Sequence, residues 1–404
     1  MKKNTIIALA LAMGAATVTQ AADFELGAHM KDAFKLFDAK RDKAENPYIQ
    51  EFTLKMRGQY QWGYLDPAGG DNRVKGNRND NNEWRRFRLG AQAKVFEKFT
   101  LKGVWNIGGL DGRNKFSNGD WMRSHTESSL GELTISTTID PVTLTLGKHK
   151  PAYMAEYRTS SGKLMTMERS MLVNQLKAEK LYGISVSNAD KKADWGWNAG
   201  IWMNGQRDSL WLEPSFDGDD SVMLGISVSR ATGYNGRLQL DYMHSFRKDG
   251  EGSSSSEYAG PGAQDVVALS WEGKQEKLSF LAEALAGFNV YEGGKGADNV
   301  YGLVLMPSYR FSPHWEGVLR YQFANGNNAV KCDSRYYTTN STYASTSDRL
   351  QGLYMGANYY VDPANPHMLK LMLGAEYINS DGRDAKGNKG FTGWQFSSAV
   401  RFDF

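Results

Sequence analysis

From Phe52 to Tyr64 the chain alternates without a slip. Phe52, Leu54, Met56, Gly58, Tyr60, Trp62 and Tyr64 take one side, and Thr53, Lys55, Arg57, Gln59 and Gln61 the other. Successive side chains of a strand point to opposite faces, so this period of two predicts a strand with one apolar and one wet face. The same dyad recurs over 84–96, 98–109, 130–139, 142–147, 181–188, 194–204 and 220–230. It returns over 235–247, 264–273, 276–288, 299–311, 315–325, 349–361, 367–379 and 391–404. Sixteen segments result, each near the ~10 residues that a tilted strand needs to cross a bilayer.

The connections alternate as well. After the even segments they are short, as in Phe96-Glu97-Lys98, Asp140-Pro141, Ser312-Pro313-His314 and Asp362 to Pro366. After the odd ones they are long, as in 66–83, 205–219, 248–263 and 326–347. Short turns on one side, long loops on the other and an even strand number describe an all-β fold. It is a sixteen-stranded antiparallel transmembrane β-barrel of the outer-membrane type. A secreted β-sandwich explains neither that asymmetry nor the aromatics at strand ends, such as Trp62, Tyr64, Trp105, Trp195 and Trp315, which suit interfacial girdles.

Residues 1–21 read as a signal peptide: Lys2 and Lys3, an apolar run from Ile6 to Val18, then Thr19-Gln20-Ala21. Residues 22–47 read as a periplasmic arm or short amphipathic helix, and 48–404 as the barrel. The mean hydropathy is −0.54. No second apolar run is long enough for a membrane helix, which leaves closed strands as the way to satisfy a backbone in lipid. Without the two leader lysines, 46 basic residues face 45 acidic ones. Such balance disfavours a polycation for nucleic acid. The single Cys332 excludes an internal disulfide and falls in a polar stretch, Asn325 to Ser347, that reads as a loop. No cofactor or metal motif is read.

Strand parity assigns each charge to lipid or lumen. The wet faces carry Lys55, Arg57, Arg86, Arg88, Lys94, Lys102, Arg237, Arg310, Arg320, Lys370 and Arg401. They also carry Glu132, Asp241, Glu272, Glu283, Glu316 and Glu376. Segments sixteen, one, two and three become neighbours when the barrel closes, and they hold seven of these cations with no acid among those counted. The far wall is mixed. The run after segment five, about thirty residues without a period, holds Lys148, Lys150, Arg158, Lys163 and Arg169. Structureless runs of that length are uncommon and usually functional. The expectation is a loop folded inward as a constriction, in which basic loop faces basic wall and anions concentrate. Lys148, Lys150, Arg158 and Lys163 are expected to offer free charge, and Arg169, directly after Glu168, to anchor the loop.

The loop and late segments resemble a known family. Leu146-Gly147-Lys148-His149-Lys150-Pro151, Thr159-Ser160-Ser161, Met167-Glu168-Arg169-Ser170, Leu319-Arg320-Tyr321 and Met355 to Tyr360 are similar to motifs of the phosphate- and polyphosphate-selective porins of Gram-negative outer membranes. The resemblance implies a trimeric barrel that passes inorganic phosphate or related anions. Gly58, Ala91, Ala93 and Gly103 on the lipid face of early strands suit close lateral packing. The final Val400-Arg401-Phe402-Asp403-Phe404 looks like the signal read by the outer-membrane assembly machinery. The competing reading is a nonspecific, mildly anion-preferring porin. An enzyme finds no support in six scattered histidines, and Asp217-Gly218-Asp219-Asp220 reads as a solvated loop rather than a calcium site.

Overall fold

The computed structural model describes residues 38–40, 46–68, 80–107, 129–190, 192–203, 222–246, 260–290, 298–332, 346–382 and 390–404. The expected signal peptide, most of the arm, and the segments 124–127, 217–220 and 253–256 lie outside them. Beyond the three-residue strand Asp38–Lys40, the early strands are β1 (Ile49–Pro67), β2 (Asp80–Val95), β3 (Phe99–Asn106), β4 (Ser129–Ile139) and β5 (Val142–His149). The middle ones are β6 (Leu181–Asn188), β7 (Trp195–Met203), β8 (Val222–Thr232), β9 (Gly236–Ser245), β10 (Ala263–Gln275) and β11 (Leu278–Val290). The last are β12 (Val300–Arg310), β13 (Trp315–Lys331), β14 (Thr346–Tyr360), β15 (Leu369–Asp381) and β16 (Thr392–Asp403). Two short helices, α1 (Ala155–Arg158) and α2 (Met171–Leu176), interrupt the run between β5 and β6.

Every strand pairs antiparallel with its sequence neighbours, and β16 returns to β1, from Gly393 opposite Pro67 to Asp403 opposite Arg57. The ring is therefore closed, with no edge left to pair. The C-terminus seals the seam: the Phe404 amide donates to the Met56 carbonyl at 2.8 Å, and the Met56 amide returns the bond at 3.2 Å.

Each segment of strict alternation corresponds to one strand, but the ladder outlasts the apolar pattern at one end. β1 runs on to Pro67 and β13 to Lys331, so parts of the expected loops 66–83 and 326–347 are strand. The cause is that hydrogen bonding continues beyond the lipid, where a face no longer needs to be greasy. Cys332 accordingly lies at the end of β13, fully buried, with its sulfur 2.9 Å from Ser347 Oγ.

The burial pattern inverts that of a soluble protein. Leu54, Leu101, Ile226, Leu240, Leu269, Leu319 and Leu373 are exposed. Gln59, Gln61, Asp241, Glu283, Arg320, Lys370 and Arg401, of the opposite parity, are buried. An apolar outside over a polar inside is the arrangement a barrel needs in lipid. Exposed Trp195, Tyr309, Phe311 and Trp315 lie at strand ends, where an aromatic girdle belongs. Among the described residues no helix is long and apolar enough to cross a membrane.

Candidate functional site

The segment 150–180 packs against the polar face of the strands, opposite the exposed apolar one. Its local structure is borrowed from the wall. Helix α1 has no cap of its own, because Met154, with a φ of 63°, leaves the first amides unpaired by side chains of the segment. Asp241 on β9 accepts from the Met154 amide at 2.9 Å, and Glu283 on β11 accepts from the amides of Ala155 and Glu156 at 2.5 and 3.3 Å. Carboxylates at a helix start satisfy orphan donors and complement the dipole. Helix α2 begins more conventionally, with Ser170 Oγ accepting from the Val173 amide. Its leucines fill notches made by glycines: a Cβ on Gly302 would lie 2.4 Å from Leu172 Cδ2, and one on Gly287 2.4 Å from Leu176 Cδ2.

Docking consumes the acids of the mixed wall. Arg158 Nη2 lies 2.6 Å from Glu272 Oε2, with Nη1 3.7 Å from Asp241. Arg320 on β13 bridges Glu156 of the loop at 3.1 Å and Glu376 on β15 at 3.0 Å, and donates to the Glu168 carbonyl at 2.6 Å. All three side chains of that bridge are buried. Glu316 accepts from Tyr360 and Ser308.

The basic wall is met differently, mainly by backbone carbonyls. Arg401 donates to the carbonyls of Leu164 and Met167 at 3.0 and 2.9 Å, and Lys370 to Leu164 at 2.7 Å. Glu168 reaches Arg85 at 2.7 Å and Arg86 at 3.3 Å, pinning the loop to β2. Arg57 forms a fork on Asp403, with both oxygens at 2.9 Å, and reaches Ser161 Oγ at 3.2 Å. Asp403 shares the parity of Arg401, so the wall that parity reading left without an acid holds one.

The remaining charge gathers on β1 to β4. Arg57 and Arg88 stand directly opposite each other in the register. Like charges so placed repel. Lys55 lies within electrostatic reach of Lys102, Arg57, Asp403 and Glu132. Glu132 is shared by Lys102 and Lys180, the latter at 2.8 Å. Arg88 Nε is buried without a hydrogen-bond partner. Lys94, at the turn end, faces Glu51 across the strands. Lys163 is exposed at the tip of the segment.

Three loop assignments require correction. Lys148 belongs to β5, which runs through Gly147 without a register slip; it pairs with Leu133 and Tyr182, shares the parity of the apolar face, and is buried with its Nζ 5.5 Å from the Tyr182 ring. Strand parity governs it, not the loop. Lys150 is turned back on its own segment, donating to the carbonyls of Tyr157 and Arg158 at 2.7 and 2.9 Å. Burial, with Arg169 close by, pulls its ammonium down to about 6. Arg158 is ion-paired to the far wall rather than free. The Arg169 guanidinium donates within the segment, to the carbonyls of Glu156 and Thr159 at 3.0 and 2.7 Å. Parity reading also passed over His149, which donates from Nδ1 to the Gly147 carbonyl and meets Ser185 Oγ and Trp202 Nε1 at 3.0 and 3.1 Å. Among the described residues no three His, Cys, Asp or Glu side chains cluster as metal ligands.

Comparison with known proteins follows the fold. Residues 54–222 match the family model of phosphate-selective porin O and P. No curated protein sequence matches the chain. Among solved structures, it resembles OmpF of Salmonella typhi in complex with daunomycin, at a TM-score of 0.59 and 13% identity over 91% of this chain and 100% of that one. The outer-membrane channel DcaP of Acinetobacter baumannii gives 0.56 and 10% over 91% and 100%. The anion-selective porin from Comamonas acidovorans gives 0.55 and 13% over 87% and 99%. The closed sixteen-stranded barrel is that of an outer-membrane porin, and its residues 54–222 are similar to the phosphate-selective porin O and P family.

Proposed function

We propose that this outer-membrane channel passes small anions of the phosphate class by passive diffusion, through a gap between the segment 150–180 and the wall of β1 to β4. The observation that carries the reading is a charge imbalance. Arg57, Arg88, Lys55, Lys102 and Lys180 make five cations, and Asp403 and Glu132 are the two carboxylates paired among them. Of the acids of the opposite wall, Asp241, Glu283 and Glu272 are engaged by the docked loop, Glu376 by Arg320, and Glu316 by Tyr360. A low-dielectric wall lined by one sign of charge focuses the field and raises the local concentration of counter-ions. Arg offers phosphate oxygens a fork, and Lys a mobile point charge.

A homotrimer, embedded in outer-membrane lipid and delivered by an assembly machinery that reads Phe404, completes the proposal. Selectivity for phosphate is tested by adding millimolar phosphate to a planar bilayer that carries chloride current. Block that weakens in Lys55→Gln supports a phosphate site. Anion preference without block supports the nonspecific porin instead.

A further inference from the structure

We propose that Tyr157 is a positioning residue for the loop's cations, holding them beside the basic wall by its ring rather than by a carboxylate. This rests on the anion-channel reading. The Tyr157 ring lies 4.9 Å from Lys150 Nζ, 5.2 Å from Arg169 Cζ and 5.5 Å from Lys177 Nζ. When all three are protonated they repel each other across one ring, so something must compensate. For Lys177 it is Glu179. For Lys150 and Arg169 the named polar acceptors are four backbone carbonyls, all of them neutral. The ring quadrupole adds attraction without adding negative charge. A carboxylate in its place would hold the cations equally well and cancel the field they make. Arg158, on Glu272 and Asp241, shows that outcome within the same loop.

The hub lies among the charges of the basic wall. Arg169, Lys180, Glu132 and Arg57 are the charges that Lys150 senses, and Glu179, Arg169, Arg88 and Glu132 those around Tyr157. Burial pushes the Tyr157 hydroxyl well above its ordinary range, so the ring stays a neutral phenol wherever the channel works. Lys150 therefore gains its proton against burial and like charge, with the ring and two carbonyls supporting the cation.

The test compares Tyr157→Phe, Tyr157→Leu and Tyr157→Met in planar bilayers, reading the chloride-to-potassium permeability ratio from pH 5 to pH 8. Lys150→Gln identifies the limb of the profile that belongs to Lys150. In the wild type this limb should have its midpoint near 6, where burial sets the Lys150 ammonium. Phe keeps the ring and retains it. Leu and Met remove the ring, and a lost cation–π contact moves the midpoint down by about one unit. At pH 6, where the wild-type ammonium is half protonated and the variants' about a tenth, the ratio then falls roughly two-fold, with heat-modifiable barrels still formed. A wild-type midpoint and ratio in whichever of Leu and Met assembles overturns the positioning role. A wild type that prefers potassium at every pH sinks the anion reading itself, while the comparison of Phe with Leu and Met still decides the role of the ring.

Discussion

Arg320 shows how much a single side chain carries here. It is 2% exposed, sits between Glu156 and Glu376, and also holds the Glu168 carbonyl. Removing one partner of a buried ion network leaves the others uncompensated and costs on the order of 3–5 kcal/mol. Arg320→Ala should therefore free the loop: single-channel current noise rises sharply, while the barrel, held by its strand ladder, keeps its heat-modifiable migration. Unchanged noise would show that the loop is held elsewhere. At this scale the sequence was only partly legible. Parity placed Arg57, Arg86, Arg320 and Arg401 on the polar face, because period two needs only local information. It gave no sign that Arg401 would donate to Leu164, a residue 237 positions away. Nor did it show Lys150 folded back onto Tyr157, since carbonyl acceptors carry no sequence signature.

Among elements, the strands were readable and the loop was not, for a physical reason. A strand in lipid must present an apolar side chain at every second position, whereas helix α1 exists because Asp241 and Glu283 cap it from other strands. Helix α2 did carry a local signal, Ser170 before an apolar turn. Its docking depends on Gly302 and Gly287, where close approach excludes a side chain. Gly287→Val should force Leu176 out of its notch, an overpacking cost of about 1–3 kcal/mol. The measurable result is faster proteolysis within 150–180 of the folded barrel, with strand content by circular dichroism unchanged. Equal protease resistance would mean that α2 is not held by that notch.

For the whole molecule, closure and lateral packing set the remaining expectations. Of the small outer-face residues, Gly58 is covered by Phe402, whose ring would lie 2.1 Å from an added Cβ. Gly103 has open space around it. If early strands form the contact between copies, Gly103→Trp should turn an SDS-resistant trimer into a heat-modifiable monomer without altering the barrel. A trimer that survives the substitution moves the contact elsewhere. Acidification should act on the channel as well. Lys150 and Lys180, lowered to about 6 and about 7 chiefly by burial, gain protons as pH falls, so positive charge rises and anion preference increases.

The central claim is that the proposed gap is net positive because the acids of the far wall are already paired, Asp241, Glu272 and Glu283 with the docked loop and Glu316 and Glu376 with wall residues. The zero-current potential of the wild-type channel under a KCl gradient at pH 7 tests it most directly, with Lys55→Glu/Arg88→Glu measured beside it. Two reversals exchange two cations for two anions next to Arg57 and Lys102. Two charges at 4 Å interact by roughly 4 kcal/mol at an effective dielectric near 20, before salt with a Debye length of about 8 Å reduces it. The wild type should show the potential of a chloride-preferring pore, and the double variant should move it toward or past zero with the same barrel. A potassium-preferring wild type, or a double variant with an unmoved potential, would contradict the account.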